Sequence, residues 1–167
     1  MKIAEGLPSL RSSRRFALVR RALAAGKERF GFRIIRFTVQ GNHLHLLVEA
    51  EDAVALSRGV KGIAVRIARA LNVLERRRGA VFPDRFHSRA LRSPREVSHV
   101  LRYVLRNTER HGGRPGIDPF CSAGLAQPEN AVAEARTWLV RIVLEREEVT
   151  VHLGEVPGSW KRSRHPS

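Results

Sequence analysis

Residues 32–50 read Phe-Arg-Ile-Ile-Arg-Phe-Thr-Val-Gln-Gly-Asn-His-Leu-His-Leu-Leu-Val-Glu-Ala, and they carry the clearest structural signal in the chain. The run from Phe32 to Val39 is β-branched and aromatic, as strands prefer. Gln40-Gly41-Asn42 is a turn signal, and a second strand-like run extends from His43 to Ala50. The two runs predict an antiparallel hairpin.

The second strand of this hairpin has two different faces, because side chains alternate along a strand. The face that we expect to enter the core carries Leu44, Leu46 and Val48. The opposite face carries His43, His45 and Leu47.

Apolar spacing and end signals predict helices on both sides of this hairpin. Leu10 to Ala25 is a basic amphipathic segment, and Ala53 to Arg77 repeats apolar residues at steps of three and four. Ser93-Pro94-Arg95-Glu96 combines an N-cap serine, a proline at the first helical position and a capping-box glutamate. The helix that begins there should run to about His111, where Gly112-Gly113 ends it.

The expected organisation for 167 residues is one domain with a C-terminal extension. The domain should span residues 1–113 and include a further strand from Arg85 to Leu91. Residues 114–167 form a loop-rich extension, with one helix predicted from Ala131 to Glu145 and a basic tail.

The composition points to a polyanionic partner. Thirty-one Lys and Arg stand against sixteen Asp and Glu, which gives a formal net charge of +15. This charge alone suits ribosomal, chromatin-like and enzymatic DNA binders equally. Cys121 is the single cysteine, which excludes an intrachain disulfide and a cysteine-based zinc cage and suits a reducing compartment. With no apolar run of about 18 residues and no signal peptide, we expect a cytoplasmic protein without a membrane partner.

The histidine pair is a candidate metal site. Histidines at i and i+2 on a strand point the same way, about 7 Å apart at Cα, and could converge on one divalent ion. Asn107 could add a carbonyl oxygen, and such a donor set suits Mg²⁺ or Mn²⁺. An exposed or hydrogen-bonded pair without metal is the alternative for His43 and His45. Large metal-dependent hydrolase barrels share the motif but need more ligands and a longer chain.

Tyr103, the only tyrosine, is a candidate nucleophile one helical turn before Asn107. At about 100° per residue, both residues lie on the flank of the apolar stripe, beside Glu96 and His99. That position argues against a core aromatic. Arginines crowd the same region, and together they predict a phosphate track, although each alone would be solvated surface. They are Arg85, Arg89, Arg92, Arg95, Arg102, Arg106 and Arg110.

These motifs together resemble the single-tyrosine HUH transposases, of the REP-associated tyrosine transposase type. Members show a strand like Met-Pro-Asn-His-Val-His-Leu-Leu-Val, and Gln40 to Val48 is similar to it. They also show an Arg-Phe segment and a helix with Tyr-Ile-x-x-Asn-Pro. Asp84 to His87 and Tyr103 to Thr108 match these, with Thr108 in place of the proline. The resemblance covers roughly Gly6 to Gly113.

The resemblance implies a ferredoxin-like α+β domain with an antiparallel sheet and helices on one face. It implies that His43 and His45 hold the metal with the assistance of Asn107. It implies that Tyr103 attacks single-stranded or hairpin DNA and forms a 5′-phosphotyrosine link, which the released 3′-hydroxyl can later attack. The chain could also pair with a second copy as a homodimer.

One feature of the chain departs from this family. Members begin with a strand like His-Val-Thr-Leu-Arg, whereas only Met1 to Ala4 precedes Glu5-Gly6 here. We therefore expect the first strand to be missing or truncated. The alternative function is a non-catalytic nucleic-acid-binding domain of the same fold, either domesticated or decayed.

Overall fold

The computed structural model describes residues 1–105 and 118–152, and its fold is an α+β arrangement around an antiparallel sheet of three strands. The strands β1 (Glu28–Arg29), β2 (Phe32–Val39) and β3 (Leu44–Ala50) lie side by side in that order. β2 and β3 form the predicted hairpin, in which Val39 pairs with Leu44. The predicted α+β class with an antiparallel sheet is confirmed.

A β-bulge in β2 decides which of its side chains face each side of the sheet. Ile34 pairs with Val48 and Arg36 with Leu47, so Ile35 is the extra residue. The bulge shifts the alternation by one position, and Ile34 and Phe37 therefore reach the same core. Ile35 and Leu47 belong to a second core on the opposite face. Both faces of the hairpin are apolar and need cover.

Two helices cover the first face, α1 (Ser13–Gly26) and α2 (Ala53–Leu74). Ser12 caps α1 by accepting a hydrogen bond from the backbone N–H of Arg15, and Asp52 caps α2 in the same way through Ala55. Gly59 allows α2 to approach the sheet, since a Cβ at this position would lie 2.2 Å from the ring of Phe32. The core on this face includes Val19, Leu23, Ile34, Phe37, Ile63 and Ile67.

Two further helices cover the second face, α3 (Pro94–Leu105) and α4 (Trp138–His152). Val97 and Leu101 of α3 and Val140 and Val143 of α4 pack with Ile35 and Leu47. The prediction that helices lie on one face holds for α1 and α2 only. α3 and α4 take the opposite face because Ile35 and Leu47 form an apolar surface there as well.

Two element predictions are wrong in the C-terminal half. Residues 85–91 have no regular secondary structure, because no described strand lies beside them to pair with. The last helix begins at Trp138 rather than Ala131. Residues 132–136 have no regular secondary structure, and the backbone N–H of Ala133 donates to the carbonyl of Ile34 at 2.7 Å.

The N-terminal residues contact one end of β3. Lys2 and His43 form an isolated antiparallel bridge, and the N–H of Leu44 donates to the carbonyl of Met1 at 2.8 Å. β3 is an edge strand of the sheet, and no described strand pairs with its outer side from His45 to Ala50.

The described part of the C-terminal extension packs along β2. The N–H of Val39 donates to the carbonyl of Phe120, and the N–H of Phe37 donates to Ser122 Oγ. Arg11 forms a bidentate ion pair with the buried carboxylate of Asp118. The predicted domain boundary after residue 113 lies outside the described residues. Within those residues, no helix has the length and hydrophobicity of a membrane span.

Candidate active site

The two histidines of the hairpin lie together on the face of the sheet that α3 covers. Their ring centroids are 6.0 Å apart, and the rings are nearly parallel, at 8°. β3 begins directly after His43, and the alternation along the strand turns His45 to the same side. Both rings therefore lie on the same side of the sheet, but they are stacked in parallel and do not point toward one common centre.

Both imidazoles are held toward their neutral form. Burial lowers the pKa of His45, and the positive charge of the N-terminal amino group adds to the effect. Burial likewise lowers the pKa of His43, with contributions from the N-terminal amino group and Lys2. Only a neutral imidazole nitrogen can coordinate a metal ion, so this environment suits a ligand pair.

A hydrogen bond fixes the orientation of His43. Its Nδ1 lies 2.6 Å from Asn42 Oδ1. An amide oxygen can only accept, so Nδ1 carries the proton and Nε2 keeps its lone pair. This is the arrangement in which a second group orients a histidine ligand. The donor set of His43 and His45 thus fits a divalent ion. In the described residues, no third His, Cys, Asp or Glu joins them as a further ligand.

Tyr103 lies against His45. Their ring centroids are 5.4 Å apart, and the rings meet edge to face at 87°. Ser93 caps α3 as predicted, because Ser93 Oγ accepts from the N–H of Glu96 at 3.3 Å, while the Glu96 carboxylate accepts from the N–H of Arg92 at 2.7 Å. Val97, Leu101 and Val104 are buried, while Tyr103 is half-buried on the flank of this stripe. The helix start and the apolar stripe therefore turn the phenol toward the histidines.

These side chains line an open groove of about 1190 Å³ that follows β3 and α3. His45 and Tyr103 lie in it with three arginines, Arg89, Arg95 and Arg102. Arg89 forms an ion pair with Glu96, whereas no carboxylate lies within ion-pair distance of Arg95 or Arg102 in the part of the chain that the structure describes. Arg85 and Arg92 are exposed but do not line the groove.

Two acidic residues of the groove are already bound to other groups. Burial favours the neutral form of Glu49, but hydrogen bonds from Thr137, Arg136 and Arg33 outweigh it and lower the pKa of this carboxyl. Backbone and side-chain hydrogen bonds from Arg92 and Arg89 lower the pKa of Glu96. Both carboxylates are therefore bound by hydrogen-bond donors, and in the described residues neither forms a metal-binding cluster with the histidine pair.

Several predicted site residues lie outside the described residues, namely Asn107, Arg106 and Arg110. The structure adds one titratable residue to the groove that the sequence did not assign to the site, His87. His87 follows Phe86 in the segment that was mistaken for a strand. The signal that could have found His87 is its place in the Arg-Phe motif, one residue after the matched phenylalanine.

Comparison with known proteins gives one match. A family model described as "Transposase IS200 like" matches residues 14–107. The matched span covers more than half of the chain and includes the histidine pair, Tyr103 and Asn107. No curated protein and no solved structure matches the chain.

Proposed function

This chain belongs to the family of IS200-like transposases, and from that premise we propose that it cuts and rejoins single-stranded DNA through Tyr103. Membership of a transposase family makes DNA the expected polymer. The observation that carries the proposal is the contact between Tyr103 and His45, at 5.4 Å between ring centroids. A nucleophile and a candidate metal ligand meet there in a groove lined by arginines.

The proposed reaction is a transfer of one phosphodiester link. The hydroxyl oxygen of Tyr103 attacks the phosphorus and gives up its proton to solvent, while the bond from phosphorus to the 3′ oxygen breaks and that oxygen takes up a proton from solvent. The products are a 5′-phosphotyrosine and a free 3′-hydroxyl. Attack by a 3′-hydroxyl on the phosphotyrosine restores a phosphodiester and releases the tyrosine. No external energy source is needed, because one ester replaces another at each step.

The residues of the candidate site have separate roles in this proposal. His43 and His45 would hold Mg²⁺ or Mn²⁺, which would offset the phosphate charge and orient the phosphate. Arg95 and Arg102 would attract the DNA backbone into the groove. His45 packs against the edge of Tyr103 and limits where the phenol can lie. A homodimer and a cytoplasmic location stay predictions from the sequence.

A DNA-binding domain without cleavage is the second candidate. The observation that favours it is the parallel arrangement of the histidine rings, which are not turned toward a shared centre. DNA affinity would be retained in this case, because exposed arginines supply it.

An adduct assay separates the two functions. The protein is incubated with end-labelled single-stranded DNA and Mn²⁺ and is then analysed on a denaturing gel. We expect a covalent adduct with wild type and none with Tyr103→Phe. That substitution removes one hydroxyl from a half-buried ring, and circular dichroism should show an unchanged fold. An adduct that persists in Tyr103→Phe would remove Tyr103 as the nucleophile. No adduct with any single strand or hairpin would favour the binding domain.

A further inference from the structure

The outer face of α2 carries a row of cations. Their spacing along the helix places them within an arc of about 140°, at 100° per residue. They line one shallow depression on the protein surface together with Gly62 and Val65. The four cations are Arg58, Lys61, Arg66 and Arg69.

Among the residues that the structure describes, these cations have no acidic partners. α2 contains no Asp or Glu between Ala53 and Leu74. In residues 1–105 and 118–152, none of the four lies within ion-pair distance of a carboxylate, whereas Arg11, Arg15 and Arg33 each have one. Cations three residues apart on a helix repel each other and destabilise it. A surface of this kind is stabilised when an anionic partner covers it.

The row is separate from the candidate active site. α2 packs through Val60, Ile63 and Ile67 on the core that contains Phe32 and Ile34. α3, which carries Tyr103, packs on the second core, on the opposite face of the sheet. The start of α2 reaches the groove through Ala53 and Leu56, but the groove and the depression with the four cations share no lining residue. Different nucleotides would therefore contact the outer face of α2 and Tyr103.

We propose that the outer face of α2 binds the phosphate backbone of double-stranded DNA. The row from Arg58 to Arg69 extends for about 16 Å along a rigid helix axis, and it therefore suits the fixed phosphates of a duplex. No aromatic residue lies on α2, so single strands would lack a surface for base stacking. The inference rests on the proposed function for the identity of the polymer. In a hairpin substrate, the stem would contact α2 and the unpaired foot would enter the groove.

Salt-dependent binding tests this surface with a matched control. The test variant carries Arg58→Gln, Lys61→Gln and Arg69→Gln, three exposed positions on α2. The control carries Arg14→Gln, Arg20→Gln and Arg21→Gln, which removes the same charge from exposed positions on α1. Affinity for a blunt DNA duplex is measured over a range of NaCl concentrations, without divalent metal. Circular dichroism checks the fold of both variants.

We expect the test variant to reduce the slope of log affinity against log salt by about two to three, since each phosphate contact contributes about 0.9. The control should reduce the slope by less than about one. Equal reductions in the two variants would overturn the inference, as would wild-type protein that does not bind the duplex. An equal loss of affinity for single strands, or tighter binding of duplex RNA than of duplex DNA, would also overturn it.

This outcome is independent of the adduct assay. Duplex binding that depends on α2, in a protein that forms no adduct, would remove the cleavage reaction and leave the α2 surface standing. Adduct formation together with equal reductions of the salt slope in the two variants would remove the α2 surface and leave the cleavage reaction standing.

Discussion

Replacing Glu49 by glutamine should lower the free energy of unfolding by about 3 kcal/mol. Oε1 of this buried carboxylate accepts from Thr137 N and Oγ1 at 2.9 and 2.6 Å. Oε2 accepts from Arg136 N at 2.9 Å and from the Arg33 guanidinium at 3.4 Å. Glutamine turns one oxygen into a donor, which then faces other donors. The loss of two hydrogen bonds to a charged acceptor costs about 3–6 kcal/mol. The lower value applies because Arg33 keeps its ion pair with Glu28 in the variant.

The destabilisation caused by Glu49→Gln should change with pH in a definite direction. The bonds from Thr137, Arg136 and Arg33 outweigh burial, so the folded pKa of Glu49 lies below its ordinary value. The stability that the charge contributes is present above the unfolded pKa of about 4.3 and is lost as the pH falls through the folded pKa. The difference between wild type and Glu49→Gln should therefore be complete near pH 7 and shrink below about pH 4.

Thermal unfolding followed by circular dichroism measures the effect. In a chain of this size, 3 kcal/mol corresponds to a Tm lower by about 6–12 °C. Glu134→Gln is the matched control, because Glu134 is exposed, and its effect should stay within about 0.5 kcal/mol. An equal loss in the control, or a difference between wild type and Glu49→Gln that stays constant in acid, would refute the role assigned to the carboxylate.

Three other predictions concern the site and the core. His43→Ala and His45→Ala should each abolish adduct formation while salt-sensitive DNA binding persists, as measured by gel and by fluorescence anisotropy; full cleavage by either variant would exclude the metal role. Single strands or the foot of a hairpin should be cut in preference to fully paired DNA, and equal cleavage rates in a side-by-side assay would contradict this. Gly59→Ala should destabilise the fold by about 1–3 kcal/mol through its clash with Phe32, and a urea midpoint equal to that of wild type would count against the close approach of α2.

Local patterns predicted the elements that lie around the site. The hairpin followed from strand-forming residues on both sides of a Gly-Asn turn, and the start of α3 followed from its capping box. These signals are contained in a few neighbouring residues. They are sufficient to place His45 on one face of the sheet and Tyr103 on the flank of a helix. The contact between the two rings requires the packing of α3 on Leu47, which no local pattern contains.

Long-range partners account for the errors. α4 begins at Trp138 because Glu49 of β3 accepts the N–H groups of Arg136 and Thr137, and this cap lies far away in the sequence. Residues 85–91 alternate like a strand, but alternation cannot supply a neighbouring strand. The bulge at Ile35 was not predicted either, since adjacent isoleucines are compatible with several registers. It moves Phe37 to the side of Ile34 and leaves Ile35 with Leu47 on the other side, so both faces remain apolar.

Within residues 1–105 and 118–152, no strand pairs with the outer side of β3, and this has a consequence for handling the protein. From His45 to Ala50, backbone donors and acceptors face outward beside an apolar surface, which is a template for edge-to-edge aggregation. Arg89, Arg95 and Arg102 flank this edge, and we expect repulsion between such cations to disfavour pairing of two copies through it. Salt shortens the range of that repulsion to about 3 Å at 1 M. We therefore expect high-salt purification, which strips bound nucleic acid, to promote precipitation of the protein.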